Sequence, residues 1–172
     1  ENTGYKENIE RWDWAFYSEK LKKKLYAIDD EILKPYFCLE KVEKAIFGLA
    51  TSLYGIRFVR NKTIPVYHPE VMTFEVYDEN NSFLAVLYTD YHPRPGKSGG
   101  AWMTSFRDQR KTESAEVRPL ISIIANFTRA SETRPSLLSF NELTTFLHEF
   151  GHSLHGMLTN CTYESLSGTN VA

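Results

Sequence analysis

His148, Glu149 and His152 stand in the order His-Glu-x-x-His, a five-residue pattern whose spacing already contains a mechanism. On a helix, residues four apart fall about 40° apart around the axis and roughly 6 Å along it, so both imidazoles reach a single cation. A zinc ion held there lowers the pKa of a water to around 7 and polarises a carbonyl, and Glu149 flanks the pair, placed to take the water's proton. The pattern reads as amide hydrolysis without a covalent intermediate. His148 and His152 are the expected metal ligands, Glu149 the expected catalytic general base, and the expected cofactor one zinc ion per complete active site; the alternative is two ordinary polar helix positions with hydrogen bonds in place of a metal.

A catalytic zinc takes three protein ligands and keeps one position open. The metzincin arrangement would put a third histidine six residues after His152, but that position is Leu158, and no histidine follows His155. Glu164 is the only carboxylate after Glu149. Gly156 and Asn160 would permit a turn back toward the metal, yet twelve residues from His152 make little more than a loop and one helical turn, so Glu164 is expected on the surface. His155 lies seven residues after His148 and could face the same cleft in a substrate-binding role. Coordination of the same metal from so far along the helix is geometrically hard.

Residues 141–156 resemble the zinc-binding helix of the thimet oligopeptidase family of metallopeptidases, and residues 165–172 are similar to its bacterial peptidyl-dipeptidase branch. Residues 90–97 and 99–102 resemble the strand and loop segments that precede that helix. The resemblance implies a zinc enzyme acting on short peptides and releasing dipeptides from their C-termini, with the third ligand a glutamate a few residues past Ala172. Family members are much longer, so residues 1–172 are expected to form a single partial catalytic domain, truncated after the zinc helix, whose partner is the remainder of its own parent chain. The parent is expected in the cytoplasm, or in the periplasm if it carries a signal peptide. Two alternatives stand beside this reading: a catalytically inactive scaffold or peptide-binding fragment lacking the third ligand, and a parent oligopeptidase or other metal hydrolase.

The elements that position the motif are legible in part. Ser139 followed by Glu142 is a capping-box entry, and Leu143, Phe146, Leu147, Phe150, Leu154 and Met157 recur at helical spacing, so the motif sits on a long helix. Residues 8–27 carry Ile9, Trp12, Ala15, Phe16, Leu21 and Leu25 among charges as an amphipathic helix, broken by Asp29, Asp30 and Pro35. A second helix runs from Leu39 to Leu53, stopped by Gly55. The period then falls to two. Residues 56–59, 72–77 and 83–88 read as strands, the last two forming a hairpin across 78–82. Residues 94–100 read as a loop, 101–107 as a further strand, and 120–127 as a central strand. The expected fold class is α+β, a zincin-like core fragment with N-terminal helices, then a small, mostly antiparallel or mixed sheet, then the motif helix. In such cores an edge strand receives the peptide as an added strand, and Gly99, Gly100, Ala101 and Trp102 are the candidate edge.

Composition narrows the partners. The chain has 172 residues, 42% of them hydrophobic, a net charge of -2 and a pI near 6.2, which gives no electrostatic basis for binding nucleic acid or an anionic membrane. No apolar run approaches the eighteen or so residues that span a bilayer. Cys38 and Cys161 read as free thiols, His68 and His92 as structural or exposed, and Asp90 as the anchor of an ion pair to Arg94 or Lys97.

Overall fold

The computed structural model describes residues 10–26 and 30–171. Its centre is a five-stranded mixed sheet covered on one face by two helices. The expected α+β class is what the chain adopts.

Helix α1 (Asp13–Tyr26) occupies most of the 8–27 segment, although positions 8, 9, 27 and 29 lie outside the described residues. It buries none of its residues. Where Asp30 and Pro35 were expected only to break the helix, a short helix α2 (Asp30–Leu33) runs into a 3-10 turn, Lys34–Tyr36. Pro35 is tolerated because a missing N–H costs nothing in a helical first turn. Helix α3 (Leu39–Tyr54) ends at Gly55, whose φ of 67° is the left-handed C-terminal conformation that glycine adopts without steric cost.

Strands β1 (Arg57–Arg60), β2 (Met72–Tyr77) and β3 (Phe83–Asp90) form an antiparallel meander. The β2–β3 turn is held by Asp78, whose Oδ1 accepts from the backbone N–H groups of Asn80 and Ser82. After β3 the chain crosses to β4 (Trp102–Arg107), makes a small ladder of β5 (Arg110–Lys111) and β6 (Glu116–Val117), and returns as β7 (Leu120–Ile124). Strand β7 inserts between β3, to which it is parallel, and β4, to which it is antiparallel. Covered on both sides, it is the central strand that its β-branched run predicts. The β5–β6 ladder has no counterpart in the sequence pattern, since two-residue strands carry no period.

Side-chain alternation sorts the two faces. Phe74, Val76, Ala85, Leu87, Ile121 and Ile123 pack beneath α3 and helix α4 (Phe140–Leu158) in the main core. Val71, Val86 and Tyr88, with Ile64 and Leu120, form a smaller cluster on the opposite face. Phe47, Phe58 and Phe150 join α3, β1 and α4 through ring contacts of 4.1–6.0 Å. Tyr91 fixes α3 to the end of β3 by donating to Glu43 Oε2 at 2.7 Å, and its ring meets Phe146 of α4 at 5.1 Å. None of the described helices is long and apolar enough to cross a membrane.

Candidate active site

The helix that carries the motif is fixed at both ends. At its start the capping box is complete: Glu142 N–H donates to Ser139 Oγ at 3.2 Å, and Ser139 N–H donates to Glu142 Oε2 at 2.7 Å. Its underside, Phe146, Phe150, Ser153, Gly156 and Met157, is buried on the sheet. At the far end Arg118, only 12% exposed, donates to the carbonyls of Met157 (2.8 Å), Thr159 (3.2 Å) and Leu84 (2.6 Å). These acceptors include helix-end carbonyls that have no partner inside the helix. Arg118 therefore ties the end of α4 to β3, a role that no sequence motif announces.

Gly156 stays inside the helix and makes no turn back toward the metal. A Cβ there would lie 2.8 Å from Ile121 Cδ1, so the glycine lets α4 approach β7 closely. Gly168, at φ 56°, packs against the same spot, 3.2 Å from Gly156 Cα to its own would-be Cβ. Gln109 anchors this returning segment. It is fully buried, and its side-chain amide pairs with the N–H (2.8 Å) and carbonyl (2.9 Å) of Cys161 as a neighbouring strand would.

On the opposite side of α4, His148 and His152 are exposed, with their Nε2 atoms 3.0 Å apart and rings at 88°. Two ligands of a tetrahedral zinc with bonds of about 2.05 Å stand roughly 3.3 Å apart, so these nitrogens, here within hydrogen-bond distance of each other, converge closely enough for a small opening to admit one ion between them. The residues present fit zinc as two of its ligands. Glu149, half-buried, shares its side of the helix with Gly156, seven residues on, which looks toward Met103 of β4. Glu149 thus lies beside the histidine pair on the helix, turned partly toward the sheet. His155 is also exposed, roughly 10 Å along the helix from His148. Glu164 is half-exposed and pairs with Arg110 at 3.2 Å. Among the described residues no cluster of three His, Cys, Asp or Glu is positioned to hold a metal.

Strand β4 is the edge of the sheet beside α4, but Gly99, Gly100 and Ala101 are not part of it. They belong to the loop before Trp102, for two physical reasons. Gly100 sits at φ 91°, a conformation outside the strand region, and Asn126 Nδ2 holds the carbonyls of Ser98 (2.9 Å) and Gly100 (2.7 Å) in a turn. The edge available for pairing is therefore Trp102–Arg107.

Behind that loop Asp90 anchors both cations that the sequence offered it. Arg94 binds its carboxylate through two bonds (2.7 and 2.8 Å), Lys97 donates to its Oδ1 at 2.9 Å, and Tyr67 donates to its Oδ2 at 2.9 Å. Burial pushes the Asp90 carboxyl up, but the hydrogen bonds from Arg94, Lys97 and Tyr67 outweigh it and hold the pKa at about 2. Burial and the bond to Asp90 raise Tyr67 to about 12, and desolvation lowers Lys97. His92 lies 3.3 Å from the Phe127 carbonyl, and His68 stands beside Glu70, both in loops. Cys38 and Cys161 are free.

The model of peptidase family M3 matches residues 1–172. The chain is 42% identical over 172 residues to a dipeptidyl carboxypeptidase of Salmonella typhimurium, covering 99% of this chain and 25% of that protein. It is 40% identical to oligopeptidase A of Escherichia coli (94% of this chain, 24% of that protein) and 33% identical to a thimet-like oligopeptidase of Dictyostelium discoideum (97% and 25%). The chain thus spans about a quarter of the length of the curated relatives it matches. A family match along the whole chain, together with these identities, places this chain in peptidase family M3.

Proposed function

We propose that this chain supplies two of the three zinc ligands and the general base of a metallopeptidase that hydrolyses short peptides, releasing dipeptides from their C-termini. The observation that carries the reading is the 3.0 Å separation of His148 and His152 Nε2 on the exposed face of α4. His148 and His152 hold the metal, and the capping box and Arg118 hold the helix that carries them. A bound zinc ion supplies Lewis acidity, polarising the scissile carbonyl and lowering the pKa of water to about 7. Glu149 takes a proton from the attacking water and can return it to the leaving amine. The β4 edge orients the peptide backbone, which enters as a further strand. The dipeptide product is supported by the likeness to the Salmonella protein, whose name describes that activity. The third ligand belongs to the remainder of a longer parent chain.

A catalytically silent, peptide-binding scaffold is the competing reading for residues 1–172 alone, favoured by the lack of a third ligand among the described residues. Zinc stoichiometry and affinity separate the two, measured on this chain, on its His148→Ala variant, and on a version extended by about forty residues to add a helix. Weak binding that the extension strengthens, and that His148→Ala abolishes, is expected. Tight one-to-one binding in the short chain would mean that a described residue completes the site. Cleavage of peptides with free but not amidated C-termini by the full-length parent checks the dipeptide release.

A further inference from the structure

The sheet face turned away from α4 carries a cavity of about 540 Å³, within the usual range for ligand pockets, that the chemistry above does not use. It is lined by Trp102, Thr104 and Phe106 of β4, by Tyr67, and by the Asp90–Arg94–Lys97 cluster. We infer that this cavity is a specificity pocket for alternate side chains of the peptide that pairs with β4, accepting large apolar and above all aromatic groups and rejecting lysine and arginine. The inference rests on the reading of β4 as the substrate-pairing edge, and it adds to that reading which side chains the substrate carries.

The geometry follows from strand alternation. Met103 packs into the core beneath α4, while Trp102, Thr104 and Phe106 point to the other face. A peptide joining β4 lies about 4.8 Å beyond it and sends every second side chain to that same face, with Cβ atoms about 5 Å from those of β4. Its alternate side chains therefore lean over Thr104, the smallest residue of the three, between two aromatic neighbours.

The lining is built for such a group. Phe106 and Tyr67 are 53% and 51% exposed and meet edge-on at 5.9 Å, so together they present aromatic surface to the cavity. Phe106 is the extra residue of a register shift between Ser105 and Arg107, and bulges at sheet edges commonly re-aim a side chain. The floor is rigid, because Asp90 is fully engaged by Arg94, Lys97 and Tyr67, and Lys97 also donates to the carbonyls of His92 (2.9 Å) and Ala125 (2.6 Å). One carboxylate against two cations leaves a single positive charge there. A basic side chain would be repelled at close range, whereas an aromatic one gains ring contacts with Phe106 and Tyr67.

The test uses the full-length, zinc-loaded parent and a peptide series in which each position in turn is Gly, Phe or Lys. Phe should raise kcat/KM over Gly by tenfold or more at every second position and Lys should lower it; Thr104→Trp, which fills the cavity, should bring the Phe-to-Gly ratio near one. Phe106→Ala, at an exposed position, should lower the ratio severalfold and serves if Thr104→Trp fails to fold. A Phe-to-Gly ratio unchanged in both variants, or a preference without alternation along the peptide, overturns the inference. Calorimetric binding of the same peptides needs no turnover. Side-chain-dependent binding without cleavage would sink the peptidase reading and leave the pocket standing, and cleavage without side-chain dependence would do the reverse.

Discussion

Helices α1 and α4 carry similar apolar stripes in sequence and meet opposite fates in the fold. Under α4, Phe146 and Met157 are completely buried and Phe150 nearly so. Along α1, no residue is buried, and Trp14, Phe16, Leu21 and Leu25 are all more than half exposed. Helical periodicity reports which face is apolar; whether that face has a partner depends on residues far away in sequence. Ile121 and Met103, which receive the Gly156 side of α4, have no equivalent over α1 among the described residues. The sharpest consequence concerns Phe146, whose ring also touches Tyr91 and Phe127. Phe146→Ala should cost about 3–5 kcal/mol in denaturant unfolding of this chain, the largest loss among the variants considered. A cost below about 1 kcal/mol would mean that α4 is no better packed than α1.

The second difference is at the ends. Arg118→Met keeps the aliphatic stem and removes donors from the carbonyls of Leu84, Met157 and Thr159. The expected destabilisation is about 2–3 kcal/mol, with weaker zinc binding in the extended chain because the histidine helix loses its far anchor. Unchanged stability would show that water satisfies those carbonyls equally well.

Which of these features the sequence discloses follows from their range. The α4 cap, the α3 stop at Gly55, the β2–β3 hairpin and the histidine pair are set within five residues or so, by caps, turn chemistry and period, and each stands where the sequence puts it. Arg118 acts on a carbonyl 39 residues away and Gln109 on a backbone 52 residues away, and neither pairing leaves a local pattern. The placing of Gly99–Ala101 on the edge strand failed for the same reason, since Asn126 bends that loop from 26 residues off. The third ligand is not legible, because a set of three needs a group that the described residues do not bring together.

The Asp90 cluster, on the far side of the sheet from α4, adds a pH signature. Its folded pKa of about 2 lies below the ordinary 3.8, so its contribution is complete above about pH 4 and is lost as pH falls through about 2. Stability measured from pH 6 down to pH 2 should decline over that window, and Asp90→Asn, though less stable at neutral pH, should decline less steeply. Parallel curves would assign the acid loss to other carboxylates.

Ser139→Ala removes one arm of the capping box and should cost about 1 kcal/mol, less than either buried change because the helix start is partly solvated. The smallest effect is expected in α1. Phe16 is 64% exposed and its ring touches Tyr17 on the same helix, so Phe16→Ala removes little burial and should shift the stability of this chain by no more than about 0.5 kcal/mol. Repeating it in the full-length parent turns a null result into a measurement: a cost that rises there to about 2 kcal/mol or more would show that the parent covers the α1 stripe, making it an unfilled interface in the short chain. A cost that stays near zero in both would make the stripe a true surface, and the contrast with α4 would then be intrinsic to the two helices.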